Sequence, residues 1–463
     1  MQVKTVQPPL KFIPPAFQSW VWNIAQQVLP LWLRHRREIG QIQTDNIEHL
    51  AECYEQFQLG KTRLLIAFRH PTIDDPPCLL YLMNCFLPKV ALQYNIRLKP
   101  PVHVHFVYDR SIPLWMGSAV GWLFSRLGAT PIHRGKLDLV GLRSARLLFA
   151  NGRFPLAVAP EGAINGQSER VSLLEPGVAR LGFWCMEDLQ KAGRAEQVVI
   201  LPVGIQYSYV HAPWKPLEQL LSQLEADSGL PVQHAYHPEV ARTREKWLCD
   251  RLCRLSDRLL QQMEAFYTRS YHQVLPGTGS LDERLQALLN AALSVAEQYF
   301  ALQPVGNLVD RRHRIEQAAW AQIYREDLPP LETLSALEQG LANRIAAEAS
   351  LNLWHMHWAE TFLAVSETYV SESPTIERIA EIALLLWNFV TRMKGGDLSK
   401  RPDLGLRQVR MTIGKAISVC DRWNAYRTNR SLAVIALTNE LQDALESLIT
   451  GVPQEPVKVP MVS

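Results

Sequence analysis

At 463 residues the chain has room for two domains, each burying its own core, and its apolar fraction of 47% is ordinary for a soluble protein. A net charge of +3 leaves no electrostatic footprint for nucleic acid, and no zinc-finger, RNA-recognition or helix-turn-helix pattern accompanies it. The seven cysteines are odd in number, scattered and without a Cys-x-x-Cys pair, which favours reduced thiols. Cys249 and Cys253 share a helix face without a neighbouring histidine and read as packing, so no metal is expected.

The first residues, Val3-Lys4-Thr5-Val6-Gln7-Pro8-Pro9, lack the apolar core of a cleavable signal, and export is not expected. Phe12 to Leu33 carries no formal charge and holds Trp20, Trp22 and Trp32, but Gln18, Asn23, Gln26, Gln27 and Pro30 interrupt it. It reads as lying in a membrane interface rather than crossing it, with Arg34-His35-Arg36-Arg37 meeting anionic headgroups. A core helix with a solvated basic end is the alternative. Residues 1–60 are therefore expected to be an N-terminal helical membrane-interface segment.

From 61 to 212 the pattern is α/β. Strands are expected at Leu64 to Phe68, Val102 to Tyr108, Phe154 to Ala159 and Val198 to Tyr207, and helices at Pro76 to Leu87, Leu114 to Leu127, Leu139 to Asn151 and Gly177 to Lys191. Gly117 and Gly121 favour burying Leu114 to Leu127 over a second membrane contact. Proline and glycine thicken over 213–240, which reads as a linker with a short helix at Leu217 to Leu224. From there to 451 the pattern is helical throughout, an all-α domain of five or more helices, and 452–463 is a loose tail. In that domain His355 and His357 are two apart and make a poor metal pair, so core or partner packing is expected, while Arg311-Arg312-His313-Arg314 reads as a solvated helix face.

The chemistry concentrates after the first strand of the α/β region. Leu64-Leu65-Ile66-Ala67-Phe68 delivers Arg69-His70-Pro71-Thr72-Ile73-Asp74-Asp75 into a turn, and Asp75-Pro76 followed by Leu79, Leu80, Leu82 and Met83 reads as an N-cap, a first-turn proline and a helix. Asp75 can then hold one imidazole nitrogen of His70 at about 3 Å and leave the other to take a proton, as a general base does. Asp74 is expected to be a solvated or capping carboxylate. Among 13 histidines the spacing has a rival, His133 and Asp138, but His133 sits inside Ala129-Thr130-Pro131-Ile132-His133-Arg134-Gly135, where a different role is suggested for the neighbouring arginine.

Three further segments follow in order: Gly128-Ala129-Thr130-Pro131-Ile132-His133-Arg134, then Ala159-Pro160-Glu161-Gly162, then Val198-Val199-Ile200-Leu201-Pro202-Val203. Together with His70 and Asp75 these resemble the four ordered blocks of the glycerophospholipid acyltransferase family, of the 1-acylglycerol-3-phosphate acyltransferase type. The resemblance implies an α/β acyltransferase domain with a central sheet flanked by helices, set between the interfacial N-terminal segment and the all-α C-terminal domain. It implies transfer of a fatty acyl group from acyl-CoA or acyl-carrier protein, as co-substrate with no cofactor, to a hydroxyl of lysophosphatidate or a related glycerolipid. His70 and Asp75 would be catalytic, Arg134 would hold the acceptor phosphate, Glu161 and Gly162 would position the acceptor, and Pro202 would shape the pocket wall. A carboxylate that only braces the loop is the other reading of Glu161. The implied partners are a membrane lipid and the cytoplasmic face of a membrane, with a peripheral or monotopic attachment.

One departure bears on the acceptor. The family continues its Glu-Gly with threonine and arginine, whereas here Ala163-Ile164 follows. Arg170 or Lys136 could supply the missing cation, or the acceptor could carry no phosphate. A membrane-bound scaffold whose helical half recruits a partner is the reading outside enzymology, and no Gly-x-Ser-x-Gly elbow supports a serine hydrolase.

Overall fold

Nine strands occur among the described residues, which are 5–133, 138–233, 243–364, 369, 374–398, 400–450 and 457–460: β1 (Ile39–Asp45), β2 (Thr62–Phe68), β3 (His105–Asp109), β4 (Thr130–Ile132), β5 (Leu156–Val158), β6 (Gln197–Tyr209), β7 (Arg407–Ile413), β8 (Ile417–Ser418) and β9 (Val457–Pro460). In this computed structural model they form one mostly parallel sheet of order β4-β3-β5-β2-β6-β7-β1-β9, with β8 paired to β6 off that path. β7 and β8 run antiparallel to β6, and β9 antiparallel to β1. The chain divides into two units, one made of Phe12–His133, Asp138–His211 and the chain from Gly405, the other of the residues up to Lys11 and Ala212–Leu404.

In the sheet unit, β2 is apolar from Leu64 to Phe68 because both of its faces are covered, as is usual for a parallel strand at the centre of a sheet. Leu64, Ile66 and Phe68 enter one core with Leu50 and Tyr54 of the helix Ile47–Gln58 and with Leu79 and Leu82 beyond the His70 turn. Leu65 and Ala67 enter the opposite core with Phe149, Phe183 and Leu437, from the helices Leu139–Asn151, Gly177–Lys191 and Arg430–Thr450. The alternation is the two-residue period of a strand. The expected strands correspond to β2, β3, β5 and β6, while β1, β4, β7, β8 and β9 are additional.

Several expectations need correction. The chain is not helical throughout from 241 to 451: Arg407, Val409, Met411 and Ile413 are buried at every second position of β7, a strand pattern. Residues 457–460 of the expected loose tail form β9. The stretch 1–60 is not one helical segment either, since β1 and Ile47–Gln58 belong to the sheet core and Val6 and Gln7 bond to Asn343 and Ile323 of the helical unit. Leu114 to Leu127 is broken at Gly117, where φ is +96°, into Ile112–Met116 and Ser118–Arg126. It is not buried as expected: Leu114, Met116 and Trp122 are exposed.

The helical unit holds Trp214–Asp227, Arg244–Tyr271, Leu281–Tyr299, Leu308–Ile323, Ala336–Ala364 and Ile376–Met393. Its first helix lies in the expected linker, yet Leu217, Leu221 and Leu224 are buried and Glu225 is paired with Arg251, both side chains withdrawn from solvent. Ser280 and Asn307 start their helices through capping boxes with Glu283 and Asp310. His355 is a core residue: Tyr267 Oη lies 2.8 Å from its Nδ1, and burial lowers its pKa to about 4. The side chain of His357 lies outside the described residues. Arg311 does not lie on a solvated face, because Glu297 accepts two bonds from it, at 2.8 and 2.7 Å.

Candidate active site

β2 ends at Phe68, and one further backbone bond, Arg69 N–H to the Val203 carbonyl at 3.0 Å, carries the strand to the point where His70 leaves it. The turn that follows closes on Asp75. Thr72 N–H donates to Asp75 Oδ2 at 2.8 Å, and Asp74 N–H donates to Thr72 Oγ1 at 3.0 Å. This folds Asp75 back onto His70, with Nδ1 2.9 Å from Oδ2. Asp75 is fully buried and the His70 side chain is 20% exposed, so the dyad is shielded on the carboxylate side and open on the imidazole side.

Asp75 also accepts from Tyr207 Oη at 2.5 Å and from Thr72 Oγ1 at 3.4 Å. Burial raises its pKa, and the bonds from His70, Tyr207 and Thr72 oppose that rise. With Nδ1–H donating to the carboxylate, Nε2 carries the lone pair of the neutral ring. Neither aspartate caps the helix Asp75–Tyr81 through its side chain. Asp74 is not solvated: its fully buried carboxylate accepts from Arg37 and from Arg407 Nη2, the latter at 2.7 Å. Two guanidiniums drew it inward, one of them more than 300 residues away in the chain.

Glu161 lies behind the histidine. Its Oε1 accepts from the His70 N–H at 2.9 Å, and its Oε2 from Ser172 N–H at 2.9 Å and Asn165 Nδ2 at 3.1 Å. It faces Arg69 at 3.3 Å, with both side chains fully withdrawn from solvent. Arg69 in turn donates to the carbonyls of Ser168 (2.7 Å), Gln167 (3.1 Å) and Arg170. A fully buried cation at the end of the apolar run Leu64 to Phe68 is stable only with such partners. The result ties the loop after β5 to the backbone of His70, and Gly166 N–H to the Pro71 carbonyl at 3.1 Å adds a second tie. Gly162 has φ +69°, and a Cβ there would lie 2.3 Å from Glu175 Oε1. The positive φ is what favours glycine here, since the carboxylate end of the Glu175 side chain can move aside.

Of the residues singled out from sequence, His70, Asp75, Glu161 and Gly162 converge around one turn, while Arg134 and Lys136 lie outside the described residues. Arg170 is exposed, and Ile164, at the position where a cation was missing, is 48% exposed. The rival pair serves the fold: Asp138 accepts from the backbone N–H groups of His133 (2.8 Å) and Gly141 (3.0 Å), capping Leu139–Asn151, and pairs with Arg110. The turn before β4 is held by two buried histidines of the β3 segment, His103 Nε2 at 2.8 Å from the Leu127 carbonyl and His105 Nδ1 at 2.7 Å from that of Gly128. Burial lowers their pKa values to about 3 and about 4. Pro202 lies in β6, paired in register with Ala67. Among the described residues no group of three histidine, cysteine or acidic side chains is placed to hold a metal.

Sequence reasoning missed Arg69, Tyr207 and Arg407, and it assigned Arg37 to a basic cluster meeting headgroups, whereas Arg37 pairs with the buried Asp74. The first two had signals: an arginine closing a buried strand needs a counter-charge, and Tyr207 shares parity with Val203 and Ile205, which enter the same core. No protein-family model matches this chain, and no curated protein matches it in sequence.

Proposed function

We propose that the protein is an O-acyltransferase that moves a fatty acyl group from an acyl thioester, acyl-CoA or acyl-carrier protein, to a hydroxyl of lysophosphatidate or a related glycerolipid. The observation that carries this reading is the His70–Asp75 pair at 2.9 Å, with the carboxylate buried and the imidazole open to one side. Nε2 takes the proton of the acceptor hydroxyl as its oxygen attacks the thioester carbonyl. Asp75 stabilises the imidazolium that forms. When the tetrahedral intermediate collapses, the carbon–sulfur bond breaks and the thiolate leaves with the proton from Nε2. The acyl group passes directly from sulfur to oxygen, without an acyl-enzyme.

A membrane as the source of the acceptor is supported by the helix Ser19–Arg36. Trp20 is 54% exposed, and Ile24, Val28 and Leu31 are exposed with it, ahead of Arg34 and Arg36. Trp122 lies beside Trp20, ring centroids 6.1 Å apart, so both elements contribute to one apolar surface. Among the described residues no helix is long and apolar enough to cross a membrane. We place the protein at the cytoplasmic face of a membrane, attached peripherally or monotopically.

The test is transfer of a radiolabelled acyl group from acyl-CoA and acyl-carrier protein to lysophosphatidate, with wild type beside His70→Ala and His133→Ala. Loss in the His70 variant alone is expected, and a wild type that acylates no lysolipid, glycerol phosphate or neutral alcohol lipid refutes the proposal. The half-exposed Ile164 favours a second reading, a non-phosphorylated lipid acceptor, which the same assay separates by relative rates.

A further inference from the structure

Asp75 has no exposed surface, so its ionised form depends on the groups that donate to it. His70 and Thr72 belong to its own turn. Tyr207 is the one donor from outside that turn among the described residues, reaching Asp75 Oδ1 from β6. The tyrosine is itself fixed. The guanidinium of Arg407, on the neighbouring β7, lies 5.1 Å from its ring centroid, and Arg407 donates to Asp74 at 2.7 Å and to the Arg37 carbonyl at 2.9 Å. The charged and titratable groups around Asp75 are therefore His70, Asp74 and Cys78 on its own turn and helix, Tyr207 from β6 and Arg407 from β7, with Arg37 held through Asp74. Burial and the Asp75 charge push the Tyr207 phenol well up, so it stays protonated as a donor.

We infer that Tyr207 is a positioning residue of the dyad: its hydroxyl bonds the ionised Asp75 carboxylate and holds it turned toward His70 Nδ1, and Arg407 holds the tyrosine ring in place. The inference deepens the proposed function and rests on His70 acting as a general base. The direction of its effect follows from linkage. A donor to a carboxylate favours the less protonated states of the coupled His70–Asp75 pair, so removing it makes the pair bind protons more tightly. A hydrogen bond to a charged group is strong enough to move such a titration by about 1 to 2 pH units.

The experiment uses the full chain and follows the pH dependence of His70 ethoxyformylation by diethyl pyrocarbonate, read by peptide mass spectrometry, since only the neutral ring reacts. In Tyr207→Phe the midpoint is expected to rise by about 1 unit or more. With 3-fluorotyrosine at position 207, a stronger donor of nearly the same shape, it is expected to fall. The acid limb of kcat/KM for transfer from acyl-CoA to lysophosphatidate should move the same way. A midpoint unchanged or lowered by Tyr207→Phe overturns the inference. Because the labelling needs no turnover, a wild type without transferase activity would instead refute the proposed function, and the two failures remain distinct.

Discussion

Glu161→Gln separates the two roles open to Glu161. The glutamine keeps an acceptor for the His70 N–H but removes the negative charge facing Arg69, leaving a buried guanidinium with carbonyl partners only. Removing one member of a buried pair costs about 3–5 kcal/mol. The carbonyls of Gln167, Ser168 and Arg170 continue to accept from Arg69, which places the expected cost near the lower end, about 3 kcal/mol. With a urea m-value of about 3 kcal/mol/M, the sheet unit's midpoint should fall by about 1 M, followed by tryptophan fluorescence. The proposed transferase activity, on folded protein, should drop through kcat, because the loop that Arg69 and Glu161 brace behind His70 loosens, with the KM for the acceptor little changed. A midpoint within about 0.2 M of wild type together with a raised acceptor KM would refute the bracing role. Glu161 would then meet the acceptor itself.

Asp75→Asn should lower kcat by about 10⁴ through the wrong imidazole tautomer, with circular dichroism unchanged. Gly162→Ala should destabilise by about 1–3 kcal/mol in urea melts, since alanine would have to hold φ +69°. His103 and His105 set an acid limit. Their folded pKa values, about 3 and about 4, lie below the unfolded value of 6.5, so the unfolded chain binds more protons between these limits and stability falls as pH drops below 6.5. At pH 5 the pair should have lost about 4 kcal/mol, and a urea midpoint that is flat from pH 7 to pH 5 would refute it. Trp20→Ser with Trp122→Ser should weaken sedimentation with anionic vesicles by about tenfold or more, the loss of two interfacial aromatic side chains.

The sheet's centre was legible because β2 and β6 are long apolar runs, and the dyad because its residues sit in one local turn. What escaped the sequence depends on contacts distant along the chain. Asp74 and Asp75 are adjacent and identical in type, yet one turns to His70 and Tyr207 and the other to Arg37 and Arg407. His70 and Thr72, which hold Asp75, lie in its own turn, whereas both partners of Asp74 are remote. The alternation Arg407-Gln408-Val409-Arg410-Met411-Thr412-Ile413 was readable as a strand, but it follows nearly 200 residues of helical pattern and its partner, β6, lies before them. Leu114 to Leu127 shows the converse error, because an apolar helix reads as buried whether its cover is protein or something outside the chain.

The return of the chain at β7 changes what the two halves mean. Val210 N–H donates to the Leu406 carbonyl at 2.9 Å, and Tyr209 pairs with Arg407, so Ala212–Leu404 leaves the sheet and rejoins it at adjacent points. That is the geometry of an insertion into a domain whose ends meet. The region past residue 404 is accordingly part of the α/β unit: Leu437, Leu441 and Leu445 fill its second core, and Arg407 reaches the aspartate beside the dyad. A chain cut after the four family-like blocks would keep His70 and Asp75 yet lose β7, Arg407 and about a third of that core. Inactivity of such a fragment would therefore say nothing about the helical insertion.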